Sequence, residues 1–176
     1  MVAASGPISL VEDHLEATLA ACGTFQTLVE AEDATEAKAS IYNDALPEPA
    51  NGVEYTKAEL TGYYPYATIE TDPEGGYEMI FDAVGAGGHD YRDAGRLIVR
   101  IARIVPANTG IADAERGWKN TIGNILAELW GNAGGAGYLA IAGVVLVGLH
   151  RFHPDDEPGM GDAQGATIAV EWGSEG

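Results

Sequence analysis

Apolar residues at the start of the chain recur at steps of three and four. Ile8, Val11, Leu15, Leu19 and Cys22 mark one face of a helix that opens near Pro7 and stops at Gly23. A second helix is predicted from Asp33, whose carboxylate can accept the free amides of the first turn while Glu36 completes a capping box. Ala37, Ile41 and Ala45 continue its face toward Pro47, so the opening helices occupy residues 7–45. The Pro, Asn and Gly residues that follow predict a surface loop over 46–62, with a helical turn near Thr56 to Leu60.

The period then changes to two. Residues 64–71 read as a strand, Asp72-Pro73-Glu74-Gly75-Gly76 as a turn, and 77–84 as the returning strand of a hairpin. Residues 96–105 read as a third strand, with Leu97, Val99 and Ile101 on one face and Arg96 and Arg100 on the other. Pairing it antiparallel to 77–84 with Asp82 opposite Arg96 places Glu78 opposite Arg100, Phe81 opposite Leu97 and Met79 opposite Val99. One register thus satisfies charges and core together, each pair contributing about 0.2–1 kcal/mol. Beyond Pro106, Ile111, Ala114, Trp118, Ile122, Ile125, Leu126 and Leu129 trace a long amphipathic helix over 110–130.

A glycine-rich connection, 131–137, leads to a strand from Tyr138 to about Phe152 that is apolar on both faces: Leu139, Ile141, Val145 and Val147 on one, Val144 and Leu146 on the other. Such a strand is either central in a layered sheet or reserves one face for another subunit. Leu139, Ile141, Val145 and Val147, with Trp172, are therefore candidate subunit-interface residues. An acidic hairpin loop, 153–164, precedes a C-terminal strand, 165–173, with Ile168, Val170 and Trp172 inward. The expected fold is α+β: a single domain over 1–176 with an antiparallel or mixed sheet of about five strands, on which two or three helices pack. The sheet and long helix fall within 63–152.

Composition changes this picture through charge alone. Asp and Glu number 27 against 9 Lys and Arg, a formal net charge of −18. Such a charge keeps a protein dispersed but works against compaction, so something outside the fold is expected to use it. It argues against direct binding of nucleic acid, which runs on clustered cations; dense carboxylates also suit a high-salt cytoplasm. The start of the chain lacks a basic and apolar leader, and its longest apolar run is too short for a membrane span, so synthesis in the cytoplasm is the expectation. The single cysteine, Cys22, permits no internal disulfide and lies on an apolar stripe without a basic neighbour, the setting of an inert thiol.

No chemistry-bearing constellation emerges. His150 and His153 are an odd number of positions apart, hence on opposite faces of a strand, and the nearby run of Asp155, Asp156, Glu157 and Asp162 lacks a calcium-loop pattern. Gly85-Ala86-Gly87-Gly88 follows a strand but is followed by another strand, unlike a phosphate cradle. Ser5, Ser9, Ser40 and Ser174 sit in no nucleophile elbow, and His14 and His89 have no local triad partner. No catalytic, cofactor-binding or metal residues are expected, and the chain reads as a non-enzyme without a cofactor. Trp130 and Trp172 suit core or interface anchors, and Tyr63, Tyr64 and Tyr66 either line a sheet face or form a ligand platform.

Taken together, Tyr64-Pro65-Tyr66-Ala67, the strand 96–105, the helix with Asn120, Ile122, Gly123, Ile125 and Leu126, the strand ending in Arg151, and the terminal Val170-Glu171-Trp172-Gly173 resemble neck and tail-completion proteins of tailed viruses, most nearly the tail terminators. The resemblance is one of element order. It implies a virion protein of the neck or tail that forms a homo-hexameric ring, caps the tail-tube protein and meets the head connector or stopper. Genome DNA would pass without specific binding through an acid-lined lumen, and no membrane would be involved. Other readings are a different neck protein, a monomeric acidic binding module, or a small hydrolase acting through carboxylates.

Overall fold

The computed structural model describes residues 7–73, 77–84, 88–132, 140–141, 144–145, 149–155 and 163–173. For 77–94 and 130–155 that description is of the backbone. Helix α1 (Pro7–Ala20) buries Val11, Leu15 and Leu19 completely, as its three-and-four spacing predicts. A short α2 (Gly23–Leu28) follows, anchored by buried Phe25. Helix α3 (Ala34–Lys38) begins at Asp33, whose carboxylate accepts from the Thr35 and Glu36 amides. Glu36 reaches back to the Glu32 amide at 2.7 Å, one residue before the cap.

The second opening helix ends far earlier than its expected limit near residue 45. Ile41–Asn43 is a strand, β1, parallel to β2 (Tyr66–Thr71). Alternation explains the switch: as a strand, Ile41 enters the core while Tyr42 joins tyrosines on the opposite face, two burials that one helical stripe could not provide. Between β1 and β2, α4 (Lys57–Tyr63) lies where a helical turn was expected, closed by a reciprocal capping box between Thr56 and Glu59.

The long strand β4 (Gly88–Ile104) organises the sheet. Along one edge it pairs antiparallel first with β2, from Tyr66 opposite Ala102 to Thr71 opposite Leu97. The same edge then pairs with β3 (Tyr77–Val84), from Tyr77 opposite Gly95 to Val84 opposite Gly88. The chain therefore does not reverse at 72–76. β2 and β3 run in line along that edge, and the reversal comes between Val84 and Gly88.

The expected register is thereby replaced. Glu78 lies opposite Ala94 and Asp82 opposite Asp90, while Arg96 and Arg100 belong to the segment that β3 does not reach. Cross-strand ion pairs contribute too little to hold open the long loop that the sequence-based register requires, and the pairing of Val84 with Gly88 needs a far shorter connection at lower entropic cost.

The other edge of β4 pairs from Ala94 to Ile104 with β8 (Ala163–Gly173), which is central and not terminal in the sheet. Beyond β8 lie β7 (Leu149–Asp155) and, at Gly173, β6 (Val144–Val145). β6 pairs antiparallel with β5 (Ala140–Ile141), so the expected continuous strand over 138–152 is instead broken, reversing between Ile141 and Val144. The α+β class and the mixed sheet stand. The strand count of about five does not: β1, β2, β4 and β8 lie side by side under the helices, and shorter or more distal segments pair onto them.

One face of those four strands carries the core. Ile41, Ala67, Ile69, Leu97, Val99, Ile101, Ile168, Val170 and Trp172 meet the helices there. Helix α5 (Ile111–Asn132) supplies Trp118, Ile122, Ile125 and Leu129 to the same cluster. Ile111, assigned to that stripe from its spacing, is instead 82% exposed in the first turn.

Two glycines contrast sharply. A Cβ on Gly95 would lie 2.7 Å from the indole of Trp172, its partner across β4 and β8, whereas one on Gly123 of α5 would meet nothing within 4 Å. Gly95→Ala is expected to cost about 1–3 kcal/mol by overpacking. Gly123→Ala is expected to stabilise by about 0.5–1 kcal/mol through helix propensity. Denaturant unfolding of the two variants checks both signs.

Candidate functional site

The arginines assigned to β3 carboxylates find others nearer in sequence. Arg96 Nε lies 2.8 Å from Asp72 Oδ2, and the Asp72 amide donates to the Arg96 carbonyl at 2.9 Å. Asp72 is buried to 4% exposure, so this double contact fixes the chain just after β2 onto β4. The charged contact is close without being aligned as a hydrogen bond, and Arg96 Nε is otherwise enclosed. Arg100 Nε stands 3.7 Å from Glu70 Oε2, and Thr68 donates to the other Glu70 oxygen at 2.6 Å. These pairs fasten β2 to β4.

Of the candidate interface residues, Trp172 is 3% exposed and belongs to the protomer's own core. A ring committed to packing on Gly95 offers no surface to a second copy. Ile141 and Val145 fall on β5 and β6, on either side of the reversal. Leu139 and Val147 lie outside the described residues, as do 156–162 of the acidic loop.

Tyr63, Tyr64 and Tyr66 join a larger cluster that sequence spacing did not connect. Tyr42 lies edge-on to Tyr63 and Tyr66 at centroid distances of 5.8 and 6.3 Å, Tyr55 meets Tyr63 at 6.3 Å, and Tyr64 meets Tyr66 at 5.1 Å. The Tyr55 hydroxyl donates toward the Pro47 carbonyl at 2.7 Å, closing the 44–56 loop on itself. Burial, then Tyr63, pushes the Tyr42 phenol up. Rings packed on one another in this way form a second small core on the face away from α1 and α5, the sheet-lining role.

At one end of the sheet, α2, the Tyr64–Pro65 step and the end of β4 enclose an open cavity of about 420 Å³. Arg103 stands in its wall, and Thr27 and Leu28 face it from α2. The guanidinium is held in place by Gln164, which accepts from Nε at 3.2 Å and Nη2 at 3.0 Å, and by the Ala114 carbonyl, which accepts from Nη2 at 3.1 Å. It also lies 4.8 Å from the ring centre of Trp118, whose own Nε1 donates to the Gly165 carbonyl at 3.0 Å. Burial pulls the Arg103 pKa down. Nothing in the sequence pattern singled out Arg103, since its partners come from positions 114, 118 and 164.

Cys22 is fully buried, with its thiol pushed up to about 12 by burial and then by Glu128. Glu128 meanwhile accepts from the Thr24 amide and hydroxyl, closing the start of α2. At neutral pH Cys22 is a protonated core residue, not a nucleophile. No group of three or more His, Cys, Asp or Glu suited to hold a metal occurs among the described residues, and no helix among them is long and apolar enough to cross a membrane.

No family model matches the chain, and no curated protein matches it. Among solved structures, a chain of the "Virion of native gene transfer agent (GTA) particle" is similar, with a TM-score of 0.46 and 16% identity over 90% of each chain. A likeness of that degree says nothing of what this chain does.

The surplus of carboxylates leaves a mark within the fold. Glu12 of α1 is held above the ordinary carboxylate range by burial, then by Asp44 and Asp13. Because the folded state favours the protonated form, the stability from Glu12 is complete below its unfolded pKa and is lost as pH rises through the raised folded value. Glu12→Gln is therefore expected to raise the Tm at pH 7, with the gain vanishing below about pH 4; thermal unfolding across that range reads both ends.

Proposed function

We propose that this chain is a structural protein of a tailed-virus particle, a tail-terminator-like subunit of the neck that works by shape and carries out no bond-making. The observation that carries the reading is the far end of β4. Residues 88–93 pair with β3 alone, and among the described residues no strand pairs with the outer edge of either. A two-stranded ribbon with both edges open is marginal by itself and is a template for backbone pairing with another chain. The core, by contrast, is closed within the protomer.

Element order supports the same reading: opening helices, a loop-rich stretch, a sheet with helices packed on it, and a strand at the carboxyl end. In the proposed assembly, six copies form a ring on the last tail-tube layer, each ribbon reaching a neighbour through a heterologous contact that closes on itself. The ring meets the head connector on its other face. The charge of −18 per copy then lines a lumen that repels the passing genome. Screening limits each exposed carboxylate to about 8 Å at physiological salt, and a ring multiplies their local density. A head-completion or stopper position in the same neck would use the same surfaces with other neighbours.

Light scattering and negative-stain imaging of the purified chain, alone and with its tail-tube protein, test the proposal. Rings of several copies, free or seated on tube ends and halting tube growth, are the expected result. A chain that stays monomeric at high concentration and leaves tube length unchanged contradicts it.

A further inference from the structure

Arg103 is anomalous in so acidic a protein. Among the described arginines, Arg96 and Arg100 each have a carboxylate partner and Arg116 is exposed, whereas the half-buried Arg103 has only neutral acceptors. Glu30 also lines the cavity but makes no ion pair with it. Gln164 and the Ala114 carbonyl occupy Nε and Nη2, leaving the two N–H groups of Nη1 without a protein acceptor.

The guanidinium is half-buried and locked by a two-point fork and an indole face. It is also preorganised: its donors need no further ordering to receive an anion. The rest of the wall is mixed: Leu28, Tyr64, Pro65, Ile104 and Pro106 form an apolar part beside Thr24, Thr27, Thr121 and Glu30. The volume of about 420 Å³ lies in the range of roughly 300–1,000 Å³ typical of small-molecule sites.

We propose that this cavity binds a small organic carboxylate with an apolar body, its carboxylate on Arg103 Nη1 and its hydrocarbon part against Tyr64, Pro65 and Ile104. The site lies within one protomer and is independent of ring assembly. The apolar part of the wall sets the preference over inorganic anions, since sulfate or phosphate would leave Leu28 and Ile104 uncovered.

Phenylacetate and its neutral isostere phenylacetamide are titrated into the isotopically labelled full chain, following the Arg103 Nε–H signal and the backbone amides of 24–28 and 103–104. Saturable shifts with phenylacetate, and binding of phenylacetamide at least about tenfold weaker, are expected. Arg103→Gln removes the charge, and Thr121→Trp fills the cavity from α5 while leaving Arg103 in place; both should abolish the shifts. Thermal unfolding verifies that each variant is folded. Equal binding of acid and amide, unchanged affinity in either folded variant, or shifts that never saturate would overturn the proposal.

Discussion

The fold depends on β4 serving two partners along a single edge. Its second half, Leu97 to Ala102, is clamped between β2 and β8 and delivers Leu97, Val99 and Ile101 to the core. Its first half continues in the same strand with β3 for company. The transition falls at Gly95 and Arg96, where the Trp172 indole covers the glycine and Asp72 holds the arginine. Replacing either contact would disturb the junction between a layered domain and the ribbon that leaves it.

Much of this was legible in the chain, for identifiable reasons. The helices α1 and α5 and the inward positions Ile168, Val170 and Trp172 follow a strict period over many residues, and burial is the term that dominates their energetics. What misled was local chemistry with more than one outlet. Asp72-Pro73-Glu74-Gly75-Gly76 has the composition of a reversing turn, but the same composition lets the chain carry on along one edge, and only the pairing with β4 decides between them. Arg96 and Arg100 were given carboxylates by register arithmetic when Asp72 and Glu70 were available on the strand beside them. Ile41 fitted a helical stripe, and the parallel pairing with Ala67 that claimed it is invisible without β2 in place.

The candidate sites show the same division. Cys22 was readable as an inert thiol because its helical position alone dictates burial. The tyrosine cluster and the Arg103 wall were not, since each draws residues from separated segments that converge only when the sheet is assembled. Charge acts on a third level. It scarcely shapes the fold, where named ion pairs are few, yet it burdens α1 at Glu12 and leaves a strongly negative exterior whose use lies in what the protein stands beside.

The central claim, which rests on the proposed function, is that copies of the chain meet through the ribbon of β3 and residues 88–93. Hydrogen exchange at single-residue resolution, comparing dilute chain with assembled particles, addresses it directly. The account expects the amides of Leu97 to Ile101 to be slow in both states, and those of 77–84 and 88–93 to be fast in the dilute chain and slowed on assembly. Equal protection of the ribbon in both states, or slowing confined to other elements, would contradict it.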